Sequence, residues 1–376
     1  MDTTFDLALA SAIVRSAMYY GPRDIRIEEV PDPVAAPAHV VIDVACNGIC
    51  GSDLHTYVGS STGGPSMHVA GVVLGHEFSG TVTAVGPGVD DIEPGAFVTV
   101  APLDWCGTCW PCLQGWPNLC RHLALYGGYR RPLHGGLAAQ VAVQRRALFP
   151  VPRGLAVGAA ALAEPVAVAV HAVRRADPSR GATALVLGCG PVGLSILQCL
   201  RADGASCVIA VDLARARRDA AACLGADVVL DPSLDDAVAA VRDVGGPGAD
   251  LVFDTTGADA AIDLGIAAAR PRATFVNVAG WQRRAQLDMG RMMAKEIDFR
   301  FTMTYEPAVD FPVALDLLAS GAVDADAMIS DHIPLERLVD RGLEELLHNA
   351  DGHIKIMVDG PAAAAGAPRA PASAGQ

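Results

Sequence analysis

Basic charge is scarce in this chain, which has 28 Lys and Arg residues against 42 Asp and Glu residues and a net charge of −14. Only Lys295 and Lys355 are lysines. Binding to nucleic acid depends on Lys and Arg neutralising phosphates, and an anionic membrane surface attracts basic segments in the same way. The composition therefore argues against a nucleic-acid partner and against a membrane partner.

Long hydrophobic runs are also missing. The uncharged, mostly apolar stretch at residues 181–200 is interrupted by three glycines and a proline at its centre, whereas a membrane-spanning helix needs about 20 mostly apolar residues. The short run Leu7–Val14 follows Asp2 and Asp6, where a secretory signal would carry positive charge. We expect a cytoplasmic globular protein, and its 376 residues suggest two or three domains.

Four cysteines within 15 residues, in CGTCWPCLQGWPNLC, give the densest chemical signal. Two Cys-x-x-Cys steps and a return after seven residues can surround one point, and four thiolates are a full ligand set for structural Zn²⁺. Two disulfides are the alternative, but disulfides are rare in the cytosol. We predict a structural zinc site formed by Cys106, Cys109, Cys112 and Cys120. The remaining cysteines outside the motifs, Cys46 among them, are interpreted as small core residues.

Hydrophobic patterning divides the chain into two regions. Before residue 164, valine-rich segments bounded by Gly and Pro predict short strands, and from residue 166 helices and strands alternate as in βαβ units with a parallel sheet. The predicted strands are 40–46, 78–85, 96–100, 184–187, 208–211, 228–230, 251–254, 274–278 and 353–358. The predicted helices are 166–176, 191–202, 215–224, 313–319 and 335–348.

A glycine-rich turn precedes the predicted helix 191–202. The string GCGPVG follows the strand-like LVL and matches G-x-G-x-x-G, which indicates a dinucleotide-binding turn when a strand precedes it and a helix follows. The three glycines would allow a tight turn, the approach of a pyrophosphate and close helix–strand packing. The pyrophosphate would meet the free N–H groups of the helix N-terminus. The predicted cofactor-binding residues here are Gly188, Gly190, Pro191, Val192 and Gly193.

An acidic residue at the end of the next predicted strand bears on the choice of cofactor. Asp212 ends the string VIAVD, nineteen residues after Gly193. A carboxylate there accepts hydrogen bonds from the adenosine ribose and repels a 2′-phosphate, so NAD is favoured over NADP. Arginines at 215, 217 and 218 leave NADP as an alternative, because an arginine can accommodate the phosphate. Arg217 and Val278 complete the predicted cofactor-binding set.

A second set of metal-ligating residues lies in GICGSDLH and LGHEFSG, which contain Cys50, His76 and Glu77, and Glu164 follows much later. Cys, His and carboxylate ligands with one position left for water or substrate are typical of catalytic zinc. Singly, these residues could be a core thiol, a core histidine and a carboxylate at a helix N-terminus. Together with the dinucleotide turn and the separate four-cysteine loop, they predict a second, catalytic zinc site.

The strings GICGSDLH, VVLGHEFSG, AEPVAVAVHAV, VLGCGPVGL and HIKIMVD resemble the zinc-dependent medium-chain dehydrogenase/reductases of the alcohol dehydrogenase superfamily, most of all the butanediol and polyol dehydrogenase group. The resemblance implies an α/β fold class, with a GroES-like β-rich catalytic domain plus a Rossmann doubly wound parallel-sheet domain that binds NAD. The expected bounds are 1–16 for an N-terminal extension, 17–165 and 306–360 for the catalytic domain, 166–305 for the Rossmann domain and 361–376 for a disordered tail.

The resemblance also implies residue roles. Cys50, His76 and Glu164 correspond to the catalytic zinc ligands, and Glu77 can ligate when the water leaves. Ser52 and His55 correspond to the hydroxyl and imidazole that pass a proton outward, and Tyr57 either lines the substrate pocket or only packs. The implied cofactors are two zinc ions per chain and NAD, the implied partner is a small alcohol or ketone, and the implied assembly is a homodimer or homotetramer.

The implied reaction is hydride transfer between NAD and a secondary alcohol, a diol or acyloin such as 2,3-butanediol or acetoin. Common alcohol dehydrogenases have Cys at the position of Glu164, so the glutamate favours the polyol or butanediol branch. The Gly- and Ser-rich segment between His55 and His76 lacks the bulkier pattern of butanediol enzymes. Sorbitol-type polyols, L-threonine and a secondary-metabolite alcohol are therefore alternative substrates. A non-catalytic dinucleotide-binding protein is a remote alternative, which predicts the loss of ligands or relay residues.

Overall fold

The computed structural model describes residues 13–59, 69–178, 181–281 and 283–361. Most of the expected N-terminal extension and nearly all of the expected disordered tail lie outside these ranges, as do residues 60–68 of the segment expected to border the substrate. No helix within the described residues has the length and apolar character needed to cross a membrane.

The first half of the chain consists mainly of short strands. Its elements are β1 (Ile13–Gly21), β2 (Asp24–Pro31), β3 (His39–Gly48), α1 (Gly51–Val58), β4 (Val72–Val73), β5 (Glu77–Val85), β6 (Phe97–Val100), β7 (Leu103–Asp104), α2 (Trp110–Leu113), β8 (Ala124–Leu125), β9 (Gln140–Gln144) and β10 (Leu148–Pro150). Strands β1, β2 and β4 form a small antiparallel sheet, and β7 pairs with β8. The predicted strands of this region are confirmed.

Helices and strands alternate through most of the second half. Its elements are α3 (Val157–Ala161), α4 (Ala163–Ala176), β11 (Thr183–Leu187), α5 (Pro191–Ala202), β12 (Cys207–Val211), α6 (Arg215–Cys223), β13 (Val228–Leu230), α7 (Ala237–Gly245), β14 (Ala249–Asp254), α8 (Asp259–Ala268), β15 (Ala269–Asn277), α9 (Met289–Lys295), β16 (Asp298–Phe301), α10 (Pro307–Ala319), β17 (Ile329–Pro334), α11 (Glu344–His348) and β18 (Lys355–Asp359).

Two large sheets organise these elements. The order β13-β12-β11-β14-β15-β16 is parallel throughout, and β11 is buried at every position, as expected of a strand covered on both faces. The other sheet has the order β10-β6-β5-β3-β18-β17, with β9 also paired to β3. Strands β17 and β18, near the end of the chain, thus complete a sheet that strands of the first half begin. The two sheets correspond to a GroES-like domain and a Rossmann domain, and the fold class is α/β.

Two predicted helices differ from the structure. The stretch 335–348 is a 3₁₀ turn, then a π-helix at Leu338–Leu343, and only then α11. The wider π turn places Leu338 and Leu343, five residues apart, on the same buried side. The helix predicted from residue 313 begins at Pro307 and contains Pro312. Burial of Phe311 and Leu315 stabilises this helix enough to outweigh the hydrogen bond that the proline removes.

Candidate active site

Three metal-ligating side chains converge where α1 begins beside β5. Cys50 Sγ, a ring nitrogen of His76 and a carboxylate oxygen of Glu77 all lie within 4.8 Å of one another. Glu77 is buried, whereas Cys50 and His76 are partly accessible, so a ligand can reach the group from one side. Thiolate, imidazole and carboxylate groups are all ligands of zinc in proteins. The structure thus brings together three of the four predicted catalytic ligands.

Local backbone geometry positions these ligands. Cys50 is the N-cap of α1, and its N–H donates a hydrogen bond of 3.0 Å to Asp53 Oδ2, which fixes the first turn of the helix. Gly48, at the end of β3, leaves the space that the Glu77 carboxylate occupies, because a Cβ there would overlap it. A larger residue at position 48 would displace the carboxylate from the group.

Negative charge surrounds His76. Its Nδ1 lies 3.6 Å from Asp53 Oδ1. Burial opposes a charge on the ring, but the charges of Asp53, Cys50 and Glu164 raise the pKa of His76 well above its ordinary value. Surroundings that favour a proton on this imidazole also favour a metal dication beside it. The charge distribution and the donor set therefore both fit a zinc ion.

Glu77 is held by a buried ion pair. Lys355 Nζ donates to Glu77 Oε1 at 2.8 Å, to Oε2 at 2.6 Å and to the Ile49 carbonyl at 2.9 Å, and both charged side chains are 2% exposed. Both carboxylate oxygens are therefore engaged by the ammonium group. The sequence analysis did not predict this role of Lys355, although a lysine within the apolar string HIKIMV indicated a buried charge.

Glu164 lies in the first turn of α4, 6% exposed, and is not part of the compact three-ligand group found among the described residues. Burial, together with the charge of Glu77, raises the pKa of Glu164 to about 7. The charges of His76 and Lys355 lower this pKa. The buried Tyr305 hydroxyl faces this carboxyl but makes no hydrogen bond of good geometry within the described residues. A cation between Glu164 and His76 would stabilise the buried carboxylate.

The predicted relay residues lie on α1 beside the ligands. Ser52 Oγ is 3.3 Å from His76 Nε2. His55 follows one turn later on the same face of the helix, and partial burial lowers its pKa. Tyr57 is buried, and its hydroxyl donates a hydrogen bond of 2.6 Å to Glu344. The structure therefore shows Tyr57 packed within the domain, and its role as a pocket residue stays a prediction.

The four cysteines of the loop after β7 surround one point. The Sγ atoms of Cys109 and Cys112 are 3.5 Å apart, those of Cys109 and Cys120 are 3.7 Å apart, and those of Cys120 and Cys106 are 3.5 Å apart. A tetrahedron with Zn–S bonds of about 2.3 Å has edges of about 3.8 Å. Hydrogen bonds donated by Thr108 lower the pKa of Cys106 to about 5, which favours the thiolate. The geometry fits a fully coordinated structural zinc.

The glycine-rich turn connects β11 to α5 as predicted. Gly188 has φ +91°, and a Cβ there would lie 2.6 Å from Thr255 Oγ1. A Cβ at Gly193 would overlap the Gly188 carbonyl, whereas one at Gly190, the N-cap of α5, would meet nothing within 4 Å. The open space at Gly190 lies at the helix N-terminus, where free N–H groups can bind phosphate. Pro191 and Val192 form the first turn.

Asp212 follows β12, and its carboxylate is oriented by backbone donors. Oδ2 accepts from the Cys189 N–H at 2.7 Å, and Oδ1 accepts from the Ala214 N–H at 2.8 Å. Arg217 donates to the Ala350 carbonyl at 3.1 Å. Arg218 donates to the carbonyl of Asp212 and contacts a neighbouring carboxylate. Both arginines thus already have partners within the chain.

Further polar groups lie at the same edge of the parallel sheet. The N–H of Val278, just after β15, donates to the Asp254 carbonyl at 2.9 Å. Asp254 ends β14 fully buried, and burial raises its pKa, while Thr256 Oγ1 donates to its carboxylate at 2.6 Å. Ligands of open α/β sheets bind outside the carboxyl ends of the strands. Sequence reasoning missed Asp254, although an acidic residue ending the apolar string LVFD was visible.

Comparison with known families matches both parts of the chain. Residues 36–153 match the alcohol dehydrogenase GroES-like domain, and residues 191–320 match the zinc-binding dehydrogenase family. The chain is 37% identical to (R,R)-butanediol dehydrogenase of Neisseria gonorrhoeae, over 92% of this chain and 99% of that protein. It is 32% identical to sorbitol dehydrogenase of Bacillus subtilis, over 92% of this chain and 97% of that protein.

Solved structures agree with these matches. The crystal structure of 2R,3R-butanediol dehydrogenase from Bacillus subtilis gives a TM-score of 0.84 at 33% identity and covers 92% of this chain and 99% of its own. A zinc-binding dehydrogenase from Sinorhizobium meliloti, solved with NADP, gives 0.85 at 30% identity and covers 93% and 99%. The similarity thus extends over both domains.

Proposed function

This chain belongs to the zinc-dependent alcohol dehydrogenase family, and from that premise we propose that it transfers a hydride between NAD and a diol or acyloin such as 2,3-butanediol or acetoin. The observation that carries the proposal is the group of Cys50, His76 and Glu77 within 4.8 Å, with Glu164 in place of the cysteine of common alcohol dehydrogenases. The similarity to butanediol dehydrogenases supports the substrate class.

The chemistry follows from the residues on α1 and beside it. When bound, zinc supplies a Lewis acid that lowers the pKa of a substrate hydroxyl, and NAD supplies the hydride acceptor. Cys50, His76 and Glu164 would hold the metal, and Glu77, paired with Lys355, would contribute when a water ligand leaves. Ser52 Oγ, which lies 3.3 Å from His76 Nε2, would accept the substrate hydroxyl proton as it releases its own proton toward His55. His55 exchanges that proton with solvent, since the ordinary pKa of histidine lies near neutrality.

NAD is the proposed dinucleotide, bound at the turn Gly188–Gly193 with Asp212 on the adenosine ribose. The partners that Arg217 and Arg218 already have support this choice, because neither guanidinium is left wholly available for a 2′-phosphate. NADP is the alternative cofactor, because the similar zinc-binding dehydrogenase from Sinorhizobium meliloti was solved with NADP.

The remaining features of the proposal concern organisation. We take the catalytic domain as residues 17–165 and 306–360, the cofactor domain as 166–305, and the assembly as a homodimer or homotetramer joined through cofactor domains. The exposure of Phe301 on the edge strand β16 supports such a contact. We also propose a cytoplasmic location.

A substrate panel tests the proposal. We expect NAD reduction by purified protein to be fastest with 2,3-butanediol, and NADH oxidation to be fastest with acetoin. Sorbitol and L-threonine are the matched alternatives, and the sorbitol dehydrogenase relative makes a polyol the second candidate substrate. Lack of activity on every diol and acyloin would refute the substrate class. Lack of activity on every alcohol, with zinc content unchanged by Cys50→Ser, would favour a non-catalytic dinucleotide-binding protein.

A further inference from the structure

A third group of metal-ligating side chains lies on the seven-stranded sheet, apart from both sites above. Cys46 Sγ, a ring nitrogen of His332 and a carboxylate oxygen of Asp359 all lie within 4.8 Å of one another. His332 Nδ1 is 2.8 Å from Asp359 Oδ1, and Cys46 Sγ is 3.8 Å from the same oxygen. None of these residues has a role in the proposed reaction.

Strand register explains why residues so far apart in sequence meet. Cys46 on β3 is directly opposite Asp359 on the antiparallel strand β18. On the other side of β18, His332 of β17 is opposite Met357. Because side chains alternate between the faces of a sheet, Met357 and Asp359 share a face, and His332 joins them there. Three adjacent strands therefore each supply one donor to the same face.

Burial and the charge of Asp359 raise the pKa of the Cys46 thiol, so a cation bound here must displace its proton. Cys46 is 1% exposed, whereas the side chains of His332 and Asp359 are 47% and 39% exposed. The Cys46 thiol is thus buried, while the ligand atoms of His332 and Asp359 are open to water. This arrangement leaves a coordination position for a water ligand. The neighbouring carboxylates of Asp331 and Asp326 add negative charge near the imidazole. Arg341 lies 3.1 Å from Asp331 and partly offsets its charge.

Gly158 of α3 lies close to the imidazole of His332. A Cβ on Gly158, in α3, would lie 3.7 Å from His332 Cε1, 4.0 Å from His332 Nε2 and 2.9 Å from Ile329 Cδ1. The helix can therefore approach β17 closely while the ring of His332 still reaches Asp359. A Cβ at position 158 would make ordinary van der Waals contact with the His332 ring and would require only the flexible Cδ1 end of Ile329 to move.

We propose that Cys46, His332 and Asp359 bind a third divalent zinc ion, which joins β3, β17 and β18. Thiolate and imidazole are the donors that favour zinc over the hard cations Mg²⁺ and Ca²⁺. Cys46 lies four residues before Cys50 on the strand that leads to α1, so the ion also restrains the approach to the candidate active site. The competing explanation is a hydrogen-bonded His–Asp pair to which the Cys46 thiol donates.

Zinc content tests the proposal on the full-length protein with its other zinc sites intact. After dialysis against excess Zn²⁺ and then against zinc-free buffer, we expect the wild type to hold one zinc ion per chain more than His332→Gln or Asp359→Asn. The matched controls are His348→Gln and Cys223→Ser, whose exposed side chains lie outside all three groups. Both controls should keep the wild-type zinc content.

Cobalt gives a second readout that does not depend on activity. Protein stripped of zinc and reloaded with Co²⁺ should show a thiolate-to-cobalt absorption band whose amplitude is lower in Cys46→Ser and His332→Gln than in the wild type and Cys223→Ser. Replacement of the buried Cys46 can impair folding. The His332→Gln variant is therefore the decisive test of the proposal, because the His332 side chain is about half exposed. Equal zinc content and equal cobalt–thiolate band amplitude in the wild type and His332→Gln would overturn the proposal in favour of the hydrogen-bonded pair.

Discussion

Lys355 Nζ donates to both carboxylate oxygens of Glu77, at 2.8 and 2.6 Å, and each of the two side chains is 2% exposed. The pair joins β18, near the end of the chain, to the first residue of β5, which directly follows His76. A buried carboxylate needs a compensating partner, and Lys355 provides it from a distance of 278 residues in sequence. The late strand thereby stabilises the candidate active site.

Replacing Lys355 by methionine should strongly destabilise the protein. The substitution keeps much of the side-chain volume but leaves the Glu77 charge buried without its partner, which costs about 3–5 kcal/mol in comparable sites. The measurement is the free energy of unfolding from urea denaturation. The double variant Lys355→Met/Glu77→Gln should recover part of the loss, because the uncompensated charge is then removed.

Arg337→Met is the control for that prediction. Arg337 pairs with Asp340 at the surface, where the side chains are 50% and 57% exposed, and such pairs contribute about 0–1 kcal/mol. A loss from Lys355→Met no greater than that from Arg337→Met would contradict the role assigned to the buried pair.

The two predicted zinc sites should be separable by substitution. Cys112→Ser should remove one zinc ion per chain and lower the melting temperature, because four thiolates hold the structural ion. Cys50→Ser should lower kcat/KM by more than about 100-fold, since a lost ligand should cost at least as much as a lost outer-shell partner, which costs 10- to 100-fold. Metal analysis, thermal denaturation and steady-state kinetics provide the measurements.

Cys223→Ser serves as the control here, because Cys223 is an exposed free cysteine outside the metal-ligand groups of the described residues. It should change neither the zinc content nor the rate. If Cys112→Ser kept its full zinc content, the four-cysteine loop would not be a metal site.

Elements with strong local signals were predictable from the sequence. Helix α5 begins at Pro191 and ends at Ala202 as predicted, because the glycine-rich turn and the proline at the first helical position both mark its start. The four-cysteine loop was also predictable, since its spacing places four cysteines around one point and disulfides are rare in the cytosol. These features depend on residues that are close together in the chain.

Features set by distant contacts were not predictable. The π-helix at Leu338–Leu343 lies against Ile49, a residue distant in sequence, and a Cβ at Gly342 would lie 2.6 Å from the Ile49 Cδ1 atom. The engagement of Glu77 by Lys355, and the meeting of Cys46 with Asp359, likewise require knowledge of which strands pair. Hydrophobic patterning predicts that a strand exists but not its neighbour in the sheet.

Cofactor preference should depend on Asp212. We expect Asp212→Ser to lower kcat/KM for NAD by about 10- to 100-fold, because a hydrogen bond to a charged group contributes about 1.5–3 kcal/mol. Activity with NADP should rise relative to NAD, since the repulsion of a 2′-phosphate is removed. Steady-state kinetics with both dinucleotides measures the ratio.

Asp243→Asn is the matched control, because its exposed carboxylate lies on α7 and Asp243 is not among the predicted cofactor-binding residues. It should leave the NAD to NADP ratio unchanged. Unchanged preference in Asp212→Ser, with a wild-type melting temperature, would exclude Asp212 as the residue that selects NAD.

The stability of the zinc-free protein should fall with rising pH because of Glu164. Its pKa is raised to about 7 in the folded protein, mainly by burial, whereas an unfolded glutamate has a pKa near 4.3. The folded state therefore holds the proton more tightly, so this contribution is fully present below about pH 4.3 and is lost as the pH rises through about 7. Above that pH the buried carboxylate is charged and destabilises the fold.

Glu164→Gln removes this titration, so the variant should gain stability relative to the wild type as the pH rises from about 5 to 8. Urea denaturation of chelator-treated wild type and variant at both pH values measures the difference, and loss of zinc elsewhere affects the two proteins equally. Glu336→Gln, at an exposed carboxylate that contacts Arg15, should show no such pH-dependent gain. A constant difference between wild type and Glu164→Gln across this pH range would mean that Glu164 does not titrate with a raised pKa.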